Sequence, residues 1–407
     1  MNKAIKFSDS VYKILFFAGF IWLNLATAFS QNSTKSSNAV MRPVSEVIGI
    51  AHVDGRYNFT NKPFLIEGAD EILKLGSKCI KVWFNDVDHK YIFNSKWPSN
   101  VDKLNYTELS KTPYFKKLFS MPFKVYSLEM TDGNLNMEWR DGLTKAESKI
   151  VNDEYYSFTK YLLTTYRNTG KTFILQNWEA DGHLATRDHS ASQTKIAVQG
   201  MIDWTNARQD GVDRARKEIK MEGVTVVNAF EVSMVLGSWT PPPYAIDVVV
   251  PFTHNDLYSY SSYSSRSLDK LNTIVQRLKY IESKTPPSKM YGKQNLMIGE
   301  FGYEERQIPD NKNVNDSTAS VQLLSVKTQL QYLLDWGVVY IFYWEIYCNE
   351  INDKSSNVGI AVHDNKQYKG FWLRRADGSF TPTYRYLKEM FKENKPVKTY
   401  AQFIESN

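Results

Sequence analysis

The sequence lacks most of the features that assign a biochemical class at a glance. Its 407 residues include only two cysteines, too few for a disulfide framework or a cysteine-rich metal site. No glycine-rich phosphate-binding motif follows a predicted strand, and no Gly-x-Ser-x-Gly element is present. These absences argue against nucleotide-binding proteins and elbow-type serine hydrolases, and we expect neither a cofactor nor a metal ion.

Excess charge and long apolar runs are also scarce. The formal net charge is +6, without the clustered basic face that a nucleic-acid partner needs. The longest apolar stretch, residues 14–26, follows three lysines and precedes small residues, which predicts a secretory signal peptide over residues 1–28. A membrane anchor is the alternative, but the run is shorter than the roughly 20 residues of a spanning helix. We therefore expect a secreted or periplasmic protein with no membrane span after cleavage.

The rest of the chain has a regular alternation of segments. Residues 29–43 are rich in Ser, Asn, Thr and Lys, which predicts a disordered leader. From 44 to 407, short apolar segments alternate with amphipathic ones, which predicts one domain of parallel strands and crossover helices. Eight strands are predicted, at 47–53, 78–84, 123–128, 172–177, 224–230, 256–260, 296–299 and 338–343. They predict an α/β fold, a (β/α)8 TIM barrel, with a doubly wound open sheet as the alternative. Residues 244–252 fit a strand or a short helix, and we favour the helix.

In such a barrel, the side chains just beyond the strands face one shared mouth. Glu179 follows the fourth predicted strand and Glu300 follows the seventh. Glycosidic cleavage needs two such carboxyl groups: one protonates the departing oxygen, and the other attacks the anomeric carbon or activates water. Cys79 and Cys348 lie at opposite ends of the predicted barrel, so we expect two free thiols.

Four segments at the predicted strand ends resemble those of clan A glycoside hydrolases, which are (β/α)8 barrels. The segments are residues 176–179 (QNWE), 260–263 (YSSY), 298–302 (IGEFG) and 342–345 (FYWE). The resemblance implies a retaining mechanism, with Glu300 as the nucleophile and Glu179 as the general acid/base. It also implies that Tyr263 hydrogen-bonds Glu300 and that Trp344 forms the floor of the sugar site.

Two positions depart from the pattern of this clan. The clan places an asparagine directly before the acid/base glutamate to hold the sugar 2-hydroxyl, whereas here Trp178 occupies that position and Asn177 precedes it. Strand alternation turns Asn177 away from Glu179 unless a bulge re-aims it, and we keep Asn177 as a candidate sugar ligand. Many members also carry an arginine near the end of strand two, where this chain reads KVWFND from Lys81.

Other side chains at the strand ends are candidates for substrate contacts. His52 and Asp54, which end the first strand, are predicted to bind sugar hydroxyls. Further candidates at the mouth are Trp83, Glu129, Asp181, His183 and Glu231, the last as a rival catalytic carboxylate. The sequence thus predicts a monomeric glycosidase that cleaves β-linkages in an oligosaccharide or polysaccharide. A barrel that binds carbohydrate without cleaving it is one alternative. A lyase or isomerase is another, marked by a lysine or metal cluster in the mouth, and the sequence gives no sign of one.

Overall fold

The computed structural model describes residues 39–130, 139–184, 191–236, 242–267, 270–305, 316–352 and 360–400. The predicted signal peptide and residues 29–38 of the predicted leader lie outside these ranges. The prediction of disorder is wrong for the end of that leader, because Ala39–Pro43 form strand β1, which pairs with β10 (Pro396–Tyr400). A partner strand at the far end of the chain leaves no local signal in the leader itself.

Eight parallel strands close into a barrel, which confirms the predicted TIM-barrel fold. The strands are β2 (Ile48–His52), β3 (Cys79–Trp83), β4 (Val125–Glu129), β5 (Lys171–Gln176), β6 (Val224–Val232), β7 (Leu257–Ser261), β8 (Leu296–Phe301) and β9 (Ile341–Tyr343). Strand β2 pairs with both β3 and β9, and this pairing closes the sheet. Nearly all strand residues are buried, because each strand has the barrel interior on one side and helices on the other.

Helices cover the outside of the barrel. They are α1 (Phe64–Leu75), α2 (Val87–Lys90), α3 (Tyr106–Ser110), α4 (Pro113–Ser120), α5 (Lys145–Thr165), α6 (Ala180–Leu184), α7 (Ala191–Glu218), α8 (Ala245–Val248), α9 (Thr273–Lys284), α10 (Asp316–Trp336) and α11 (Pro382–Glu393). The ambiguous segment 244–252 is helical, as favoured from the sequence, since a 3₁₀ turn follows α8. Thr144 caps α5 and Thr381 caps α11 through side-chain hydrogen bonds. None of the helices in the described ranges is both long enough and apolar enough to span a membrane.

The alternation of side chains along each strand divides the core into two layers. Inside the barrel, an apolar cluster includes Cys79, Val125, Ile174 and Phe342. A larger cluster packs the outer faces of the strands against the helices, and Cys348 belongs to it. Both cysteines are buried free thiols, which confirms the prediction.

Towards the carboxyl ends of the strands, the barrel interior becomes polar. Lys81, Ser127, Gln176, Glu231 and Ser259 are fully buried at inward positions of five consecutive strands, β3 to β7. The Ser127 hydroxyl donates to Gln176 Oε1 at 3.2 Å, and Gln176 Nε2 donates to Glu231 Oε2 at 2.7 Å. We call these five residues the polar layer. It lies between the apolar interior and the mouth of the barrel.

Candidate active site

A cavity of about 480 Å³ opens at the carboxyl ends of the strands, above the polar layer. Five of the seven predicted site residues line it, namely Asp54, Glu179, Tyr263, Glu300 and Trp344. The barrel thus brings together side chains that follow strands β2, β5, β7 and β9, together with Glu300 in β8. The two remaining predicted residues, His52 and Asn177, lie elsewhere.

Glu179 has the environment of a carboxylic acid that holds its proton near neutral pH. Burial raises the pKa of Glu179 to about 7, and the negative charge of Glu300 adds to this rise. A hydrogen bond from the Ser261 hydroxyl to Glu179 Oε1, 2.7 Å long, opposes the rise in pKa. A group with this pKa is protonated in mildly acidic solution and can donate its proton, as a general acid must.

The Ser261 hydroxyl also sets an upper limit on the distance between the two catalytic candidates. It lies 2.7 Å from Glu179 Oε1 and 3.5 Å from Glu300 Oε2. These two oxygens therefore lie no more than about 6 Å apart, which fits the roughly 5–5.5 Å carboxyl separation of retaining glycosidases better than the 6.5–9.5 Å of inverting ones.

A buried lysine that is not among the seven predicted site residues binds the other oxygen of Glu300. Lys81 Nζ lies 2.7 Å from Glu300 Oε1 and 2.7 Å from Glu129 Oε2, and it donates to the Gly299 carbonyl at 3.3 Å. Burial lowers the pKa of Lys81, but the charges of Glu129, Glu231 and Glu300 outweigh burial and raise it. Lys81 is therefore an ammonium ion and not an amine poised for Schiff-base chemistry, which requires a lowered pKa.

Lys81 belongs to the polar layer beneath the cavity and is not among the residues that line it, so it acts on the site through Glu300. It lies in β3, the second strand of the barrel, near whose end many clan A members carry an arginine. The sequence does indicate an unusual role for this lysine. Strand alternation turns residues 79, 81 and 83 to the same face, and a charged residue inside an apolar strand is unusual. The sequence alone did not show which carboxylates would surround it.

Glu231 supports the site and does not compete with Glu179 and Glu300 for substrate. Its carboxyl group accepts hydrogen bonds from Gln176 Nε2 and the Ser259 hydroxyl, both at 2.7 Å, and from the backbone N–H of Glu179 at 3.4 Å. Glu231 is fully buried, and burial raises its pKa well above the usual value. The expectation of a rival catalytic carboxylate is therefore wrong, because its oxygens already accept bonds from protein donors.

Two positions of the segment 298–302 require glycine, because neighbouring atoms lie too close to leave room for a side chain. A Cβ atom on Gly299 would lie 1.9 Å from Glu231 Oε2 and 2.2 Å from the Ser259 hydroxyl, so only glycine leaves room for the polar layer. A Cβ atom on Gly302 would lie 2.6 Å from the carbonyl oxygen of Trp344. The two glycines allow β8 to place Glu300 close to both the polar layer and the Trp344 backbone.

Aromatic rings form much of the cavity wall. Trp344 is buried, and Lys81 Nζ lies 5.8 Å from the centre of its ring. Trp83, a predicted candidate at the mouth, and Trp178 both line the cavity, with ring centres 5.6 Å apart. The indole N–H of Trp83 is buried and has no hydrogen-bond partner among the described residues. Such rings can stack on the apolar faces of sugars while a free N–H group donates to a hydroxyl.

Tyr263 lines the cavity, but the predicted hydrogen bond to Glu300 is absent. Its hydroxyl is buried and lacks a hydrogen-bond partner within the described ranges. Burial raises the pKa of Tyr263 well above the usual value, and the charges of Glu300 and Glu179 add to this effect. Lys81 and Ser261 bind the carboxylate of Glu300 instead, so the Tyr263 hydroxyl is available to a ligand in the cavity.

The rim of the cavity carries ion pairs. Asp54 Oδ2 lies 3.1 Å from the guanidinium of Arg56 and 3.4 Å from Lys90 Nζ, and burial raises the pKa of Asp54. Arg266 binds Glu304 through two hydrogen bonds, of 2.7 and 3.0 Å. Asp54 thus reaches the cavity, as predicted, with two cations beside it.

His52 and Asn177 fall on the outer face of the barrel, which corrects their assignment as sugar ligands. His52 is fully buried against α1, where Nε2 lies 2.9 Å from the Phe64 carbonyl, and burial lowers its pKa to about 4. Asn177 Oδ1 accepts from the Glu231 backbone N–H at 3.0 Å, and Nδ2 donates to the Glu231 carbonyl at 3.3 Å. Alternation along β2 and β5 therefore directs both side chains away from the cavity.

Asp181, a candidate for tuning Glu179 or binding the leaving group, has a structural position. Its carboxylate accepts from the backbone N–H groups of Ser233, Met234 and Ala245, at 2.7–3.0 Å. It therefore holds the loop after β6 against α8. The side chain of His183 lies outside the described part of the structure.

A metal ion has no evident place beside these carboxylates, because the Lys81 ammonium already lies among them. In the described ranges, a group with metal-ligand spacing comprises Asp86, Asp88 and His89 at the start of α2. Asp86 and His89 are exposed on the surface. Exposed acidic groups of this kind are common without an ion.

Comparison with known proteins identifies the fold but not the family. No protein-family model matches the sequence, and no curated protein matches it either. Among solved structures, the exo-β-1,4-mannosidase Op5Man5 from Opitutaceae bacterium strain TAV5 is 10% identical, with a TM-score of 0.53, over 89% of this chain and 62% of its own. A GH5_18 protein from Bifidobacterium longum subsp. infantis is 12% identical, with a TM-score of 0.50, over 89% of this chain and 81% of its own.

A third structure, the AHE enzyme from Alicyclobacillus herbarius, is 10% identical with a TM-score of 0.50 and covers 88% of this chain and 99% of its own. The barrel fold is thus shared with glycoside hydrolases, including GH5 proteins. At identities of 10–12%, the likeness extends to the fold alone.

Proposed function

We propose that this protein is a retaining glycoside hydrolase that cleaves β-glycosidic bonds of an extracellular or periplasmic oligosaccharide or polysaccharide. The observation that supports this best is the Ser261 hydroxyl between the carboxyl groups of Glu179 and Glu300. Two carboxyl groups at this separation, in a cavity with stacking rings, match the requirements of double displacement. The clan A resemblance of the strand ends supports the same chemistry and supplies the β-linkage.

The two carboxyl groups have different roles because their surroundings differ. Oε1 of Glu300 is held by Lys81, so Oε2 is the oxygen that attacks the anomeric carbon. Glu179, with its pKa near 7, donates its proton to the departing oxygen. The resulting Glu179 carboxylate then takes a proton from the water that hydrolyses the glycosyl ester. Trp344 packs against the sugar, and Asp54 accepts hydrogen bonds from its hydroxyls.

The experiment is a screen of the purified protein on 4-nitrophenyl β-glycosides and on polysaccharides, with the variants Glu179→Gln and Glu300→Gln. We expect each variant to lose at least about a hundredfold in kcat/KM on the polysaccharides, whose departing alcohol oxygen needs a proton. Glu67→Gln is the matched control, since Glu67 is a buried carboxylate that binds Phe59 and Thr60 away from the cavity.

The anomeric configuration of the first product, followed by proton NMR, tests the retaining mechanism separately. Retention supports the proposal, and inversion contradicts it. A protein that binds glycans but cleaves none of the substrates supports the non-catalytic barrel. Full activity in both Gln variants removes Glu179 and Glu300 from the mechanism.

A further inference from the structure

The lysine beneath the cavity has more carboxyl groups around it than one positive charge can balance. Lys81 Nζ lies 2.7 Å from Glu300, 2.7 Å from Glu129 and 4.0 Å from Glu231. Lys81, Glu129 and Glu231 have no exposed side-chain surface. A buried ammonium ion needs a counter-ion close by, because separation of charge is costly away from water. A change in the charge of Glu300 therefore changes the balance of charge among Lys81, Glu129 and Glu231.

Glu129 differs from Glu231 in what its carboxyl group contacts. Glu231 accepts hydrogen bonds from Gln176 and Ser259, which tie it to the neighbouring strands. Apart from Lys81, whose ammonium lies 2.7 Å from Oε2, the carboxyl group of Glu129 has no hydrogen-bond partner among the described residues. Burial raises the pKa of Glu129 to about 7, and the Lys81 charge opposes this rise. The Glu129 carboxylate is thus placed to act as a counter-ion of Lys81.

The proposed reaction changes the charge on the other partner of Lys81. When Oε2 of Glu300 bonds to the anomeric carbon, the bond from that carbon to the departing oxygen breaks. The electron pair stays on the departing oxygen, which takes the proton from Glu179. Glu300 becomes a neutral ester and Glu179 becomes a carboxylate, so the total charge is conserved. Lys81 keeps its charge but loses one of its two close counter-ions.

We infer that Glu129 is a positioning residue that shares the Lys81 ammonium with Glu300 in the free enzyme and is its counter-ion in the covalent intermediate. This inference rests on the proposed glycosidase function. By taking part of the Lys81 charge, Glu129 prevents Lys81 from binding the Glu300 carboxylate so strongly that it becomes a poor nucleophile. In the intermediate, the Glu129–Lys81 pair keeps the ammonium neutralised without Glu300.

Glu129→Gln removes this shared charge with almost no change in shape. Glu300 is then the one carboxylate within 3 Å of Lys81 among the described residues, with Glu231 4.0 Å away. The stronger pairing stabilises the free Glu300 carboxylate, slows its attack and makes Glu300 a better leaving group from the ester. We expect kcat/KM, which reports formation of the intermediate, to fall roughly tenfold, since a neighbouring charge shifts a pKa by about 1–3 units. With a 2,4-dinitrophenyl glycoside, whose reactive leaving group makes hydrolysis of the intermediate limiting, kcat should be unchanged or higher.

The test compares the wild type with Glu129→Gln, Glu129→Asp and Glu71→Gln on the same 2,4-dinitrophenyl glycoside. Glu129→Asp restores the charge and should recover most of kcat/KM. Glu71 is a buried carboxylate on α1 that pairs with Arg374 at 3.2 Å, outside the cavity. Its Gln variant should keep the wild-type ratio of kcat/KM to kcat.

The outcomes separate this inference from the proposed function. If the wild type turns over and Glu129→Gln loses kcat/KM while kcat holds, the inference is supported. A proportional loss of both constants, or no recovery of kcat/KM in Glu129→Asp, overturns the inference and leaves the glycosidase function standing. A wild type that cleaves no glycoside overturns the function and the inference with it.

Discussion

The hydrogen bond from Ser261 to Glu179 gives a quantitative prediction of the pH profile. The hydroxyl donates to the ionised form of Glu179 and so stabilises the carboxylate. Deleting it in Ser261→Ala removes that stabilisation and raises the pKa of Glu179 above its present value of about 7. A hydrogen bond to a charged group contributes roughly 1.5–3 kcal/mol, and one pKa unit equals about 1.36 kcal/mol. We expect the pKa of Glu179 to rise by about one unit, the lower end of this range, because water can replace part of the lost hydrogen bond.

The assay is kcat/KM on an aryl β-glycoside between pH 4 and 10. The alkaline limb, which reports loss of the Glu179 proton in the free enzyme, should lie near pH 7 in the wild type and about one unit higher in Ser261→Ala. Ser262→Ala is the control, because its hydroxyl donates to the Glu300 carbonyl at 3.3 Å and to neither carboxylate. A limb that stays in place, or moves to lower pH, would refute Glu179 as the acid held in this environment.

Three further predictions concern stability and binding. Because burial raises the pKa of Glu179 from 4.5 to about 7, its ionisation opposes folding as pH rises through this range. Glu179→Gln should therefore increase the free energy of unfolding by about 3 kcal/mol at pH 8 but by less than about 1 kcal/mol at pH 5, as measured by urea denaturation. Gly299→Ala forces a Cβ atom to within 1.9 Å of Glu231 and should cost roughly 3 kcal/mol in the same assay. Gly182→Ala, whose added Cβ atom would have no other atom within 4 Å, should cost nothing, and equal free energies of unfolding for both variants would contradict the crowding argument. Trp83→Phe keeps a ring but loses the unpartnered N–H, so kcat/KM should fall roughly threefold to tenfold, whereas an unchanged value would remove this N–H from substrate binding.

Local periodicity predicted the barrel because each of its parts is set by nearby residues. An apolar run of about four to eight residues buries both faces of a parallel strand, and an amphipathic run supplies the helix that covers it. The strand β8 illustrates this, since residues 296–299 were predicted and Leu296–Phe301 are observed. The pairing of β1 with β10 was missed because the two strands lie at opposite ends of the chain, and neither predicts the other locally.

The site was predicted less completely, because facing and charge balance depend on the whole barrel. Strand order placed Glu179 and Glu300 at the same mouth, since parallel strands bring their carboxyl ends together, and the resemblance to clan A supplied their roles. His52 and Asn177 were misassigned, because proximity to a strand end was given more weight than the alternation that turns both outward. Lys81 is recognisable in the sequence as a charged residue within the apolar strand β3, but its partners Glu129 and Glu300 come from two other strands. Only the closed barrel determines that the three groups meet.

The most direct test of the account is covalent trapping of the nucleophile. A 2-deoxy-2-fluoro β-glycoside with a reactive leaving group forms the glycosyl ester readily, and this ester then hydrolyses slowly. Peptide mass spectrometry of the inactivated protein should find one added sugar on Glu300, in the wild type and in Ser261→Ala, and none in Glu300→Gln. A sugar on Glu179, on Glu231 or on no carboxylate of an otherwise active enzyme would contradict the assignment of Glu300 as the nucleophile.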